Sequence, residues 1–580
     1  MRIRLLPAAA AASALLLSAC GKDAGDAGQS LLAYVPADTP YVVANLEPFD
    51  AELRKAWIKA SGGKQLFALY RSMLGNFAAV ADDEDERKAM KFLGAVLDEF
   101  EPMVDPEQRT PLGMAEEAEV ALYGYGLLPV MRLRLADPAA FEQVIARLEQ
   151  SLGSAMTSDE VGGYKLRRQV IDEVVIYLAV IGDQAVFALI PSAEDQAIRE
   201  QVLGLQMPEQ SMADSGKLEQ LATQYGLQRN AGVGLVDTAA LIGALLNPTR
   251  PGDRALLSLG EKDAPTADLD ATCQAEVNEI SALVPRLVMG AKHMDAERMD
   301  AFSIFEMAPE AAQRWAAVSA PQPGAKAPKD GWVWFGFGID PVKTGTALRG
   351  LADLVAADPF QCEHLTDLND AMAQMKEGLN PMAIGMAANF TGVFVNLDKI
   401  VLDDQQNPIS GEGVVAISSP APAALWALAK GQLEMLESLD IGVDKGVVAV
   451  PTDLFPMPLP AKALMTERSL ALAVGDIDDA RVEAIAAVDP QAEQPIFRYG
   501  LTGRFYSEFY GDLMERAMLE AALDDDDGEA MAKMNQTQRE QFAKDMRELM
   551  RIAGETIDYM DTQILFTEGG LEMRQQTRMK

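Results

Sequence analysis

Past residue 30 the chain alternates between two hydrophobic rhythms. Short runs rich in Val, Ile, Leu and aromatic residues follow a strand pattern. Between them lie stretches whose apolar residues recur three and four apart, as on one face of a helix. Residues 41–46 (YVVANL) read as a strand, followed by a helical pattern around 51–59 and further helical stretches to about Val104. Residues 119–125 and 128–135 read as strands, and Asp137-Pro138 then opens a helix with Pro in its first turn and Gly153 near its end. Strands are predicted over 164–170, 174–181 and 185–190, the last two joined at Gly182-Asp183. A strand at 231–236, a helix at 238–246 and a strand–turn–strand over 287–307 complete this stretch.

The same order returns with diverged residues. Residues 332–338 (WVWFGFG) answer the Tyr41 strand, and Asp340-Pro341 opens the helix after it. The strand at 413–417 with the helix through Trp426 answers the Met131 strand and its helix, 470–476 answers the 175–192 region, and 496–501 answers 233–246. Residues 563–579 close this stretch as 287–307 close the first, with Glu568-Gly569-Gly570 as the turn. Five elements in one order point to internal duplication. The expected fold is therefore α+β: two tandem related domains, residues 31–320 and 331–580, each a mostly antiparallel sheet covered by helices. Residues 321–330, beginning PQPGAKAP, are expected to form a plain linker between them.

The N-terminus carries a different signal. Arg2 and Arg4 precede an apolar run from Leu5 to Leu17, which Ser18-Ala19-Cys20 closes. That run is too short to span a bilayer, and the segment resembles a bacterial lipoprotein signal peptide. The resemblance implies removal of residues 1–19, lipid on Cys20 and an exported, membrane-tethered protein; several acyl chains anchor stably where one does not. Gly21 stands where inner-membrane lipoproteins typically carry Asp, which points to the periplasmic face of the outer membrane. Residues 20–30 are small and polar, a tether reaching at most about 35 Å.

With 49% hydrophobic residues the chain has ample material for a core. Its formal charge of −37 repels phosphate backbones and excludes nucleic acid as a natural partner. Acidity of this kind keeps an exported protein soluble, and a cationic partner is the alternative use. Beyond Cys20 only Cys273 and Cys362 remain, which in an oxidising compartment predicts one disulfide. Free thiols, or a metal at Cys362-Glu363-His364, are the competing readings, the last with too few ligands at the wrong spacing for zinc.

No catalytic residue, cofactor or metal ligand is assigned from the pattern. Only His293 and His364 are available for a Ser-His-Asp or Cys-His site. Ser61-Gly62-Gly63-Lys64 and Lys343-Thr344-Gly345 match the S-x-x-K and K-T-G signatures of penicillin-binding enzymes. That chemistry needs the serine at a helix start and the second lysine on a strand, and Lys343 instead follows a helix-opening Asp-Pro. Asp524–Asp527 before Gly528 lack both end ligands of an EF-hand and read as a solvated acidic loop. The 29 methionines, Met531 and Met534 among them, recur with Leu and Ala at helical spacing and read as core packing.

Val35-Pro36-Ala37-Asp38-Thr39, the Gly182-Asp183 turn and the closing strands at 563–579 together resemble uncharacterised envelope lipoproteins and exported proteins whose mature part begins with a similar "PADT" strand. The resemblance implies an exported, duplicated α+β protein and carries no catalytic residues. The expected function is that of a lipid-anchored, non-enzymatic envelope protein binding a protein partner or an apolar ligand. The alternative is an envelope hydrolase or peptidoglycan-active enzyme.

Overall fold

The computed structural model describes residues 30–80, 84–104, 112–117, 119–151, 156–171, 174–192, 196–258, 270–403, 407–432, 436–452, 459–521 and 535–580. The signal segment, Cys20, the tether up to residue 29 and the acidic run at 524–528 lie outside these residues. The protein is α+β, built on one large antiparallel sheet with helices packed on both of its faces.

The first ten strands are β1 (Tyr41–Ala44), β2 (Val120–Tyr125), β3 (Leu128–Arg134), β4 (Thr157–Val161), β5 (Tyr164–Ile171), β6 (Val174–Ile181), β7 (Gln184–Pro191), β8 (Val233–Asp237), β9 (Arg286–Met294) and β10 (Arg298–Glu306). The remaining nine are β11 (Val333–Gly338), β12 (Gly392–Leu402), β13 (Pro408–Ser418), β14 (Val448–Val450), β15 (Ala461–Met465), β16 (Ser469–Val474), β17 (Phe497–Thr502), β18 (Ile557–Thr567) and β19 (Gly570–Met579).

Pairing joins them all into one sheet. Its middle is the antiparallel pair β10–β19, with Ser303 opposite Met573. Outward from β10 run β9, β8, β1, β2, β3, β7, β6, β5 and β4. Outward from β19 run β18, β17, β11, β12, β13, β16, β15 and β14. The expected separate sheets are thus continuous, because the closing hairpins of the two halves pair edge to edge and leave no free edge between them.

Local chemistry explains several elements. Gly182 takes a left-handed φ of 61° at the β6–β7 turn, a conformation that costs glycine nothing. Asp340 accepts hydrogen bonds from the backbone N–H of Val342 and Lys343 and starts helix Pro341–Ala357, with Pro at the first turn.

Residues 321–328 are not a loose connection. Gln322, Pro323 and Gly324 are buried. Gln322 Nε2 donates to Pro495 O (2.7 Å), Gly324 N–H donates to Ile485 O (2.8 Å), and Arg498 donates to Gly324 O (3.0 Å). A Cβ on Gly324 would stand 2.4 Å from the Phe394 ring. Proline and glycine here fit a tight path over packed strands, which composition alone reads as a linker.

Besides helix Pro309–Ala316, which packs on β18 and β19, two helical contacts tie the halves together. Helix Gly63–Val80, whose Phe67 packs with Met131 and Leu133, meets helix Gln536–Thr556. There Ser72 and Asn76 donate to Asp545, and Phe77 lies edge-on to Phe542. In the second contact, Cys273 of helix Ala271–Leu283 is joined to Cys362, just before helix Thr366–Gly378. One turn beyond Cys273, the Glu276 carboxylate accepts the backbone N–H groups of Gln361 (2.7 Å) and Cys362 (3.0 Å).

Candidate functional site

Directly paired residues of an antiparallel sheet point to the same face, so the pairing register sorts every strand residue onto one side or the other. From β6 across to β14, no paired residue on one of the two faces is charged. One row on this face runs Phe337, Phe497, Ile564, Met573, Ser303, Met289, Gly234, Val43, Leu122, Met131. The opposite face of the same strands carries Arg132, Arg286, Arg298, Asp300, Glu306, Arg498, Asp561, Glu572 and Arg574.

Both ends of the uncharged face are covered. Helix Pro138–Ser151 lays Phe141, Val144, Ile145 and Leu148 over Met131, Leu133 and Leu178 at one end. Trp426 packs with Leu472, Ala461 and Ala463 at the other. The middle is open. Phe305 is 45% exposed, Met573 44%, Phe335 41%, Phe337 40% and Tyr499 39%. Isolated exposed apolar residues are ordinary, but adjacent ones on paired strands form a patch, and such patches mark interaction surfaces. Phe335 lies opposite Tyr499, and Phe337 opposite Phe497. Thr562, paired with Tyr499 and Gln575, is buried on this face, and its Oγ1 has no hydrogen-bond partner among the described residues.

The opposite face makes this floor rigid. Asp561 of β18, 3% exposed, accepts from Arg498 Nε (2.9 Å) and Trp334 Nε1 (2.9 Å) and pairs with Lys329 Nζ (3.0 Å). Burial pushes the Asp561 carboxyl up, but Arg498, Lys329 and the indole N–H outweigh it and hold the group below the usual carboxylate range. The cluster links β11, β17 and β18 through charge-assisted hydrogen bonds directly behind the open patch.

The residues weighed for catalysis are scattered. His293 sits near the exposed β9–β10 turn with its Nε2 2.8 Å from Asp295 Oδ2, and His364 is an exposed residue beside Cys362. Ser61 lies between helix Ala51–Ala60, whose end it caps, and helix Gly63–Val80, and its hydroxyl donates to Ile58 O. Lys343 lies in a helix and pairs with Asp340 (3.4 Å) instead of lining a strand. Cys273 and Cys362 do come together, while Cys20, Met531 and Met534 lie outside the described residues. Among the described residues no group of three or more His, Cys, Asp or Glu is placed to hold a metal, and no helix is long and apolar enough to cross a membrane.

Sequence reasoning passed over the open patch, although one strand displayed it. In β19 the charges Glu572, Arg574 and Arg578 alternate with Leu571, Met573, Gln575 and Thr577, a period-two segregation that assigns a charged and an uncharged face. No family model, curated protein or solved structure matches this chain.

Proposed function

We propose that this is an exported, non-enzymatic envelope protein, tethered through lipid on Cys20 at the periplasmic face of the outer membrane, that binds an apolar ligand along the open middle of its sheet. The observation that carries the reading is the uncharged face with exposed aromatic and methionine side chains at its centre, in a chain of net charge −37. A chain this acidic has charges to spare for its surfaces, and a broad face kept free of them favours hydrocarbon.

The two halves are proposed to be related domains descended from a duplication. Support comes from the matching order of pairing outward from β10 and from β19, in which β9 answers β18, β8 answers β17, β1 answers β11 and β3 answers β13, with β4 an extra strand at the end of the first arm. Placing the ligand face across the seam explains why the halves remain in one chain.

The test is binding of cis-parinaric acid, a fluorescent polyene fatty acid, to the purified protein. Saturable fluorescence enhancement is expected, and it should be lost in Met573→Glu and Tyr499→Glu, which place a charge on exposed positions of the patch. Absence of saturable binding, or binding unchanged in both variants, overturns the reading.

A further inference from the structure

Beside the open floor lies an apolar cleft that is open to solvent on one side. Phe337 and Ile339, at the end of β11, form a pocket of about 470 Å³ with Leu379, Ile384 and Phe390, and no lining residue is charged. Gly345 closes its back: a Cβ there would stand 2.6 Å from Ile384 Cδ1, so the bare backbone lets Ile384 seat against helix Pro341–Ala357. Phe337 belongs both to this pocket and to the uncharged face. The volume lies in the range of sites for small molecules.

The short helix Pro381–Ala387 forms the lip. Ile384 and Ala387 face the pocket, whereas Met382 and Met386, four residues apart and on the other side of the helix, are 76% and 75% exposed. Flexible, polarisable methionines that protrude beside an apolar pocket are suited to sliding among hydrocarbon chains. Net charge narrows the ligand further, since a body at −37 repels the anionic sugars and phosphates of lipopolysaccharide and leaves zwitterionic phospholipid favoured.

We propose that this pocket takes one acyl chain of a zwitterionic phospholipid, admitted past Met382 and Met386 and continuing along Phe337 onto the open face. The proposal rests on the apolar-ligand reading of that face and adds the site and the class of lipid.

Photocrosslinking of the full chain in cells labelled with [32P]phosphate tests it, with p-benzoylphenylalanine placed at position 390 or, separately, at 499. Lipid on Cys20 carries no phosphate and does not interfere. The expected result is a 32P adduct at position 390 with the mass of a phospholipid, lost when Ala387→Trp fills the pocket and reduced by Met382→Asp with Met386→Asp. All three are exposed positions, where substitution spares the core. An adduct that persists in Ala387→Trp overturns the pocket, because lipid then only brushes the lip. An adduct at 499 without one at 390 overturns the pocket and spares the open-face reading, whereas none at either position overturns both. An adduct with the mass of lipid A or of an anionic phospholipid overturns the assignment of lipid class.

Discussion

Removing the Cys273–Cys362 link should loosen the join between the halves, by an amount that loop length fixes. The two positions are 89 residues apart in sequence. Chain-entropy reasoning for a loop of that length gives about 4.6 kcal/mol at 25 °C as the ceiling for its contribution. The Glu276 carboxylate still accepts the Gln361 and Cys362 amides when the sulfurs are parted, so the helices keep part of their contact. Trp315, Trp332 and Trp334 all lie inside the loop, which makes fluorescence-detected urea unfolding a direct reporter. With an m value of about 3 kcal/mol/M for a long chain, Cys273→Ser with Cys362→Ser should lower the midpoint by up to about 1.5 M. Wild type under reducing conditions should match the double variant. Two reactive thiols per chain besides Cys20 in denatured, non-reduced protein, or midpoints unmoved by substitution, would refute this reasoning.

Three further outcomes follow from the same structure. Cys20→Ala should move the protein from the membrane fraction to the soluble fraction, since acyl chains dominate attachment; full retention after a salt wash contradicts the anchor. Limited proteolysis should spare residues 321–328, whose backbone and Gln322 side chain are bonded into the second half, and a first cut there, mapped by mass spectrometry, contradicts that packing. Asp561→Asn should destabilise the protein by about 3–5 kcal/mol by leaving Arg498 buried without its anion. Because the folded-state pKa of Asp561 is depressed, its contribution is complete above the ordinary carboxylate range and fades as pH falls through the lower folded value. The gap between wild type and variant, read by urea unfolding, should therefore hold from about pH 5 to 8 and narrow progressively as pH falls below the ordinary carboxylate range toward the lower folded value.

Much of the strand inventory was legible because it is written locally. The β6–β7 hairpin announces itself through two apolar runs around Gly182-Asp183, and the helix after Asp137-Pro138 through its cap and spacing. Strands β4, β12, β14 and β15 escaped notice; β14 has only three residues, Val448–Val450. The seam escaped for a different reason. β10 and β19 are paired across nearly half the chain, and nothing near Ser303 announces Met573. The misread at 321–328 shows the limit of composition, since proline and glycine serve a tight packed path as readily as a loose one. The pair Cys273 and Cys362 was readable by counting cysteines, whereas the Glu276 clamp beside it depends on a tertiary approach that leaves no local trace.

The most direct test of the central claim is the lipid content of the protein itself. Wild type and Met573→Glu, purified by the same route, would be extracted with organic solvent and the extracts weighed by mass spectrometry, which leaves any covalently bound lipid with the protein. The account predicts phospholipid in near-stoichiometric amount from the wild type and its loss from the variant, whose new carboxylate sits in the middle of the open face. Extracts free of lipid in both, or equally rich in both, would contradict it.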